Sequence, residues 1–359
     1  MDETALRQRL PRAMEELRER LGRRIVGMED VVEHVLYCLL CNGHGLLVGV
    51  PGLAKTLLCS SMADLLDLEF KRIQFTPDLM PGDIVGTETL VEQPEGGRGF
   101  RFVHGPIFTN LLLADEINRT PPKTQAALME GMEERTVTSA GTLRELPPPF
   151  IVLATQNPIE QEGTYELPAA QLDRFLVRIL VDYPDMDDEK QIVRRTTAGS
   201  QSDLEPVLSR DEILALQKLV QESPTPHDIP KYATALARAT RPGPEAPEGL
   251  GELIAWGVGP RAAQALVMAA KARALMDGRT KPTCADVRVV LPAVMGHRVI
   301  PSFTAAAREI TADEIVRRVR DAVPSPDGWK PEPQEVEEGF LAGLMRRLRR
   351  EPAPAGTGG

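Results

Sequence analysis

At 359 residues the chain is long enough for two domains, and 42% apolar with 26% charged residues is ordinary for a soluble globular protein. A formal net charge of −10 argues against a protein that coats nucleic acid through its overall charge, and 4% aromatic residues leave little for base stacking. Cys38, Cys41, Cys59 and Cys284 contain one C-x-x-C pair without a second pair or a recognisable His pair. They read as buried thiols of a reducing compartment rather than as a zinc site. The first residues are acidic and lack an apolar segment, so no secretory signal is expected. No apolar stretch reaches the roughly 18 residues of a membrane span. A cytoplasmic protein is expected.

Leu6, Leu10, Met14, Leu17 and Leu21 recur at steps of three and four, which predicts an amphipathic helix over 2–22. Pro11 interrupts the pattern, so the regular helix is expected to begin there. A second helix over 28–41 has a wide face of Val31, Val32, Val35, Leu36, Leu39 and Leu40. Gly45-Leu-Leu-Val48 reads as a short buried strand, and the residues after Thr56 read as a helix. Between them lies Gly49-Val-Pro-Gly-Leu-Ala-Lys55-Thr56. A strand, a glycine-containing turn and Lys-Thr opening a helix make a phosphate-binding loop: backbone N–H groups face an anion, Lys55 reaches the β/γ-phosphates and the Thr56 hydroxyl binds Mg²⁺. Ala54 stands where glycine is usual. The loop is expected to survive provided that this position does not need a positive φ.

Ile73-Gln-Phe75 alternates as a strand, 76–83 reads as a loop, and 84–102 reads as a β-hairpin insertion with a solvated tip at 94–97. Leu111-Leu-Leu-Ala-Asp115-Glu116 is the second decisive stretch: an apolar strand delivers two carboxylates at its C-terminal end, where open parallel sheets bind ligands. Asp115 is assigned to Mg²⁺, directly or through water, and Glu116, pointing the other way, to polarising the attacking water. Thr120 is expected to cap the next helix, which buries Ala126, Leu128, Met129 and Met132 and closes at Arg135. A short hairpin follows over 137–146. The buried strand 150–155 then ends in Gln156-Asn157-Pro158, whose amide can orient water or contact a γ-phosphate.

Arg174 precedes the apolar strand 176–181, and 183–185 ends the α/β unit. Beyond it the pattern is helical over 189–197, 209–222, 230–240, 260–276, 284–295 and 311–323, with no strand pattern of comparable strength. The domains are therefore 1–185, an α/β core with its hairpin near 84–102; 186–323, an all-helical domain; and 324–359. In the last, a linker precedes a short basic amphipathic helix over 339–350 and a tail expected to be disordered. That helix is either a docking segment for a partner or an anionic membrane surface, or a terminus that folds only in context. Arg261 lies in the first turn after Pro260, a poor place for a cation against the helix dipole, which points to a job other than helix stability.

In this order the motifs resemble the AAA+ ATPases and, among them, the MoxR family of the helix-2-insert group, related to magnesium chelatase subunits. The resemblance covers about residues 22–323. It rests on 49–56 as Walker A, 111–119 as Walker B, 154–158 as sensor 1, 171–175, and 257–261 as sensor 2. It implies an α/β P-loop core with a parallel sheet between helices and a C-terminal helical lid, and it makes Ala54 a family feature. It casts the hairpin insertion as facing the central pore of a ring. The resemblance further implies ATP and Mg²⁺ as cofactors, with nucleotide contacts from Gly49, Pro51, Gly52, Leu53, Ala54, Lys55, Thr56, Leu57 and Arg261. Thr56 and Asp115 would hold the metal. Catalysis would fall to Lys55, Glu116, Asn157 and Arg174, the last an arginine finger reaching a neighbouring subunit. Arg135 is a weaker candidate for the same kind of reach. Relatives often carry Glu where this chain has Ala169, which puts one subunit contact in doubt. The implied function is an ATP-hydrolysing chaperone that remodels or matures a protein client as a homo-oligomer, a hexameric ring. A von Willebrand factor A domain protein is one such client and metal-cofactor insertion one such maturation. Two alternatives stand beside it. One is a DNA-remodelling motor, which the charge and few aromatics disfavour. The other is a nucleotide-binding scaffold without turnover, which Glu116, Asn157 and Arg174 disfavour. Nucleic acid is not an expected partner, and any membrane contact is confined to 339–350.

Overall fold

The structure, a computed structural model, describes residues 3–92, 98–159, 163–197, 204–243 and 246–328. The turn expected at 94–97, the basic helix at 339–350 and the tail lie outside the described residues. The core elements are, in order, α1 (Glu3–Gly22), α2 (Glu29–Leu40), β1 (Gly45–Gly49), α3 (Lys55–Leu65), β2 (Phe70–Gln74), α4 (Pro81–Val85), β3 (Gly86–Glu92), β4 (Arg98–His104), β5 (Leu111–Asp115), α5 (Pro122–Glu134), β6 (Thr136–Ser139), β7 (Thr142–Glu145), β8 (Ile151–Gln156), α6 (Ala169–Leu172) and β9 (Val177–Val181). The second part runs α7 (Met186–Thr197), α8 (Arg210–Glu222), α9 (Asp228–Ala239), β10 (Ile254–Trp256), α10 (Pro260–Met276), α11 (Cys284–Met295), β11 (Ile300–Pro301), α12 (Phe303–Ala307) and α13 (Ala312–Ala322).

Five strands form one parallel sheet in the order β2-β5-β8-β1-β9. β1, β5, β8 and β9 are largely apolar on both faces because both faces are covered, whereas the edge strand β2 carries Lys71, Arg72 and Gln74. Alternate residues feed two cores: Leu47, Leu111, Leu113, Ile151, Leu153, Val177 and Ile179 pack with α1, α2, α3 and the C-terminal helices. Their neighbours Leu46, Val48, Leu112, Ala114, Val152 and Ala154 pack with Leu128, Met129 and Met132 of α5. The first core is thus continuous with that of the helical domain.

Several expectations are corrected. Helix α1 starts at Glu3 and runs through Pro11, because Leu6, Leu10, Met14, Leu17 and Leu21 form one buried stripe on both sides of it. Arg9 Nη2 and Arg20 Nη1 also donate to the carbonyls of Val207 and Glu205. Burial of that whole stripe outweighs the roughly 3 kcal/mol of an interior proline. The expected loop 76–83 ends in the short helix α4, whose backbone Met80 N–H donates to Asp83 Oδ2. Thr120 does not cap α5; Pro121 holds that position. The Thr120 hydroxyl donates instead to the Thr76 carbonyl, and that of Thr124 to Leu79, pinning the segment before α4. Among the described residues, the helical domain contains one small antiparallel pair, β10 with β11, too short to show a period.

The insertion hairpin pairs β3 with β4 from Gly86↔His104 to Glu92↔Arg98. The second hairpin, β6–β7, leans on it: the Arg144 guanidinium lies 3.7 Å over the Phe102 ring, and Ser139 Oγ donates to the Gly86 carbonyl. Leu90, Phe100, Val103 and Leu143 remain exposed. All four cysteines are free thiols.

Candidate active site

At the C-terminal ends of β1, β5 and β8 lies a cavity of about 390 Å³ lined by Pro51, Gly52, Leu53, Ala54, Lys55, Thr56, Arg72, Gln74, Asp115, Glu116, Thr155 and Asn157. It brings together the six predicted loop residues 51–56 with Asp115, Glu116 and Asn157, from three segments far apart in the chain. Two predicted contacts of the loop segment do not line it. Gly49 supplies its carbonyl to Lys55 Nζ at 2.6 Å, and Leu57 is an exposed residue of α3. Gly49 is required sterically, because a Cβ there would lie 2.2 Å from the carbonyl oxygen of Val181 on β9.

The expectation for Ala54 is overturned. It sits at φ 49°, left-handed, immediately before α3, and Gly52 is at φ 82°. The turn must reverse tightly enough for successive N–H groups to converge with the helix N-terminus on one point. That geometry takes a positive φ at residue 54 whether or not glycine is there, so Ala54 carries backbone strain.

The two carboxylates also reach the cavity differently from simple strand alternation. Asp115 ends β5, but Glu116 is at φ 57°, so the chain leaves the strand and turns Glu116 toward the same space. Asp115 Oδ1 accepts from Thr155 Oγ1 at 2.6 Å, and Thr155 Oγ1 accepts the Glu116 N–H at 2.8 Å. Arg72 Nη2 donates to Asp115 Oδ2 at 2.6 Å. Gln74 Nε2 donates to Glu116 Oε2 at 2.6 Å, and Arg119 Nε pairs with the same oxygen at 3.2 Å. Arg72, Gln74 and Thr155 were not among the expected residues. Arg72 and Gln74 sit on a largely polar edge strand and Thr155 near the end of the apolar β8, positions that have meaning only once β2 and β8 are known to flank β5.

The donor set fits a phosphate chain with a divalent cation. Burial pushes the Lys55 ammonium below its usual pKa, opposed by Asp115 and then Glu116, so the cation is held among anions and faces a cavity. Among the described residues, buried Asn157 Nδ2 donates to nothing while its Oδ1 accepts from the Ile159 N–H. An unmet buried donor beside Lys55 suits an anionic oxygen. Thr56 and Asp115 line the cavity with hard oxygen donors of the kind that would suit Mg²⁺ beside phosphates.

Residues 44–177 match the family described as ATPase family associated with various cellular activities (AAA), and residues 251–319 match the AAA lid domain. Chaperone MoxR1 of Mycobacterium tuberculosis is 42% identical over 84% of this chain and 79% of its own length. The chain belongs to the MoxR family of AAA+ ATPases. Protein MoxR of Paracoccus denitrificans is 33% identical over 83% of this chain and 91% of its own. A crystal structure of a protein from Cytophaga hutchinsonii assigned as an ATPase superposes with a TM-score of 0.82 at 36% identity, covering 89% of this chain and 97% of that one. The five-stranded core and the helical domain are accordingly the AAA+ core and its lid.

In this MoxR-family chain the arginines assigned to nucleotide are elsewhere. Arg174 and Arg261 line a second cavity, of about 350 Å³, with Glu133, Arg135, Asp173 and Arg298, and neither lines the cavity at Lys55. Arg174 Nη2 lies 2.5 Å from Glu133 Oε2, and Arg261 of α10 pairs with the other oxygen of that carboxylate. Arg261 therefore makes no contact with its own phosphate loop. Arg135, at φ 57°, donates its guanidinium to the carbonyls of Phe150 and Asn42, and burial lowers its pKa to about 10. It serves its own chain's packing. Ala169 is the exposed first residue of α6. Among the described residues, no helix is long and apolar enough to cross a membrane.

Proposed function

We propose that the protein hydrolyses ATP as a chaperone working in a ring of subunits, six by family resemblance. The observation that carries this is the separation of the site into two halves. Lys55, Thr56, Asp115, Glu116 and Asn157 share one cavity, while Arg174 and Arg261 sit together on another. A second copy presenting the latter to the former would complete one site from two chains.

In that site ATP is the substrate. Thr56 and Asp115 would hold Mg²⁺, which supplies positive charge to the β- and γ-phosphates. The loop N–H groups and Lys55 bind and orient the phosphates. Glu116, oriented by Gln74 and Arg119, takes the proton of the attacking water. Asn157 Nδ2 donates to water or the transferred group. Arg174 of the neighbouring subunit meets the charge that develops in transit, an effect worth on the order of 10³–10⁵ in rate. Arg261, on the same carboxylate as Arg174, is read as reaching the nucleotide across the same boundary. The work done is remodelling or maturation of a protein client, with von Willebrand factor A domain proteins as the class to test and metal-cofactor insertion as one outcome. The exposed Leu90, Phe100 and Leu143 of the two hairpins suit an unfolded or apolar segment.

The test is ATP turnover against protein concentration, with mass followed by light scattering, for wild type and Arg174→Ala. Specific activity that rises with assembly, and an Arg174→Ala protein that binds ATP yet barely hydrolyses it, support the reading. Activity independent of both concentration and Arg174 overturns it. A Glu116→Gln protein, holding ATP, is the trap for clients.

A further inference from the structure

Residues 173–176, which carry Arg174, are held by the lid as well as by the sheet. Arg298, just beyond α11, has a side chain only 3% exposed. Its Nε donates to Asp173 Oδ1 at 2.8 Å. Its Nη2 donates to the carbonyls of Asp173 at 3.2 Å and Phe175 at 2.6 Å, and its Nη1 to that of Leu176 at 3.1 Å and to that of Val294 of α11. His297 Nε2 donates to the Phe175 carbonyl at 3.1 Å. The grip is returned: Arg178 of β9 donates through Nη1 to the Gly296 carbonyl at 3.2 Å and pairs with Asp313 of α13. A Cβ at Gly296 would lie 2.3 Å from Arg178 Nη2 and would push that guanidinium from its place.

A buried guanidinium is a poor choice for simply gluing two domains, because its desolvation offsets most of what its pairs return. What a planar fork offers is orientation: several donors in fixed directions. Here they are aimed at the backbone on both sides of Arg174 and leave the Arg174 side chain outside the grip. Only the path of residues 173–176 is fixed, and that path sets where Arg174 points.

We propose that Arg298 is a positioning residue for Arg174, fastening its segment to the lid so that the arginine offered to a neighbouring subunit keeps one orientation relative to the lid. The inference rests on the reading that Arg174 acts across the subunit boundary. Misplacing a catalytic group by about 1 Å costs on the order of 10² in rate.

The test uses full-length Arg298→Met and Asp173→Asn, each alone and mixed with Lys55→Ala, with Arg174→Ala as the control. Lys55→Ala cannot turn over ATP but carries an intact Arg174 to lend. The expected result is ATP affinity within about threefold of wild type and kcat lower by about 10²-fold for Arg298→Met and about 10-fold for Asp173→Asn. Mixing with Lys55→Ala should restore turnover to both, as it should to Arg174→Ala. A merely structural defect would not be repaired by a partner that is itself inactive. If Arg174→Ala is rescued while Arg298→Met keeps its kcat, or loses it and is not rescued, the positioning role is wrong and the boundary reading stands. Should Arg298→Met not assemble, Asp173→Asn decides by the same outcomes. If Arg174→Ala itself is not rescued, the boundary reading fails and this inference falls with it.

Discussion

Arg174 Nη2 lies 2.5 Å from Glu133 Oε2, and the same carboxylate holds Arg261 of the lid. The Arg261 hydrogen bond, with the charge of Arg174 behind it, keeps the Glu133 carboxyl below its usual pKa. Glu133 thus stands where an anion brought by another chain would compete. Because the trio is half-exposed, its ion pairs are worth about 0–1 kcal/mol. Glu133→Gln is expected to leave unfolding within about 1 kcal/mol of wild type and ATP binding unchanged, and to raise turnover a few-fold at protein concentrations below full assembly. A fall of more than about tenfold in the same assay would mean that Glu133 holds the arginines in working position.

Ala54 at φ 49° makes a prediction about strain. A left-handed conformation costs an L-residue roughly 1–2 kcal/mol, and glycine escapes it while giving back roughly 0.4–1 kcal/mol in unfolded-state entropy. Ala54→Gly should therefore raise stability by about 0.5 kcal/mol and keep ATP binding, whereas Ala54→Val should destabilise by more than about 1 kcal/mol. Thermal unfolding with and without ATP reads both.

Thr155 joins the two carboxylate residues, donating to Asp115 Oδ1 and accepting from the Glu116 N–H. Thr155→Val keeps the volume and removes both bonds. It should cost about 1–3 kcal/mol of stability, from the unmet polar groups, and weaken Mg²⁺-dependent ATP binding. Thr155→Ser keeps the hydroxyl and should restore both. Urea unfolding and a Mg²⁺ titration measure them.

His44 and His297 give a pH dependence. Val152 N–H donates to His44 Nδ1 at 2.9 Å, so the proton is on Nε2, which faces the Met132 carbonyl at 3.0 Å. Burial holds both histidines well below the ordinary 6.5, helped at His44 by Arg135 and at His297 by Arg298 and Arg178. Below pH 6.5 the unfolded chain binds protons that the folded one refuses. Stability is therefore full above 6.5 and falls as pH falls, by up to about 1.4 kcal/mol per pH unit for each histidine. His297→Gln removes one of these protons, so its stability should decline less steeply between pH 6.5 and 5. Urea unfolding across that range checks the slope; an unchanged slope would show that His297 is protonated in the fold.

Much of the core was legible because its signals are local. The strand, loop and Lys-Thr helix start around Lys55, the carboxylates closing 111–116 and the amide closing 150–157 each declare themselves within a dozen residues. Where local reading failed, longer-range contacts had the last word. Pro11 should have started a helix, yet buried leucines on both sides carry the helix through it. Thr120 has the right chemistry for a cap, but its hydroxyl is claimed by the Thr76 carbonyl.

By itself the sequence located the main strands and helices of the AAA+ core and the helical character of the lid, since apolar period and turn chemistry act over neighbouring residues. Tertiary structure alone decided the sheet order that sets Gln74 and Thr155 on either side of the Asp115–Glu116 pair. It also decided that Glu133, Arg174, Arg261 and Arg298 share a face apart from the phosphate loop. Those four come from different elements in two domains, and no spacing along the chain encodes their meeting. Burial of one core, continuous from the sheet into the lid, brings them together.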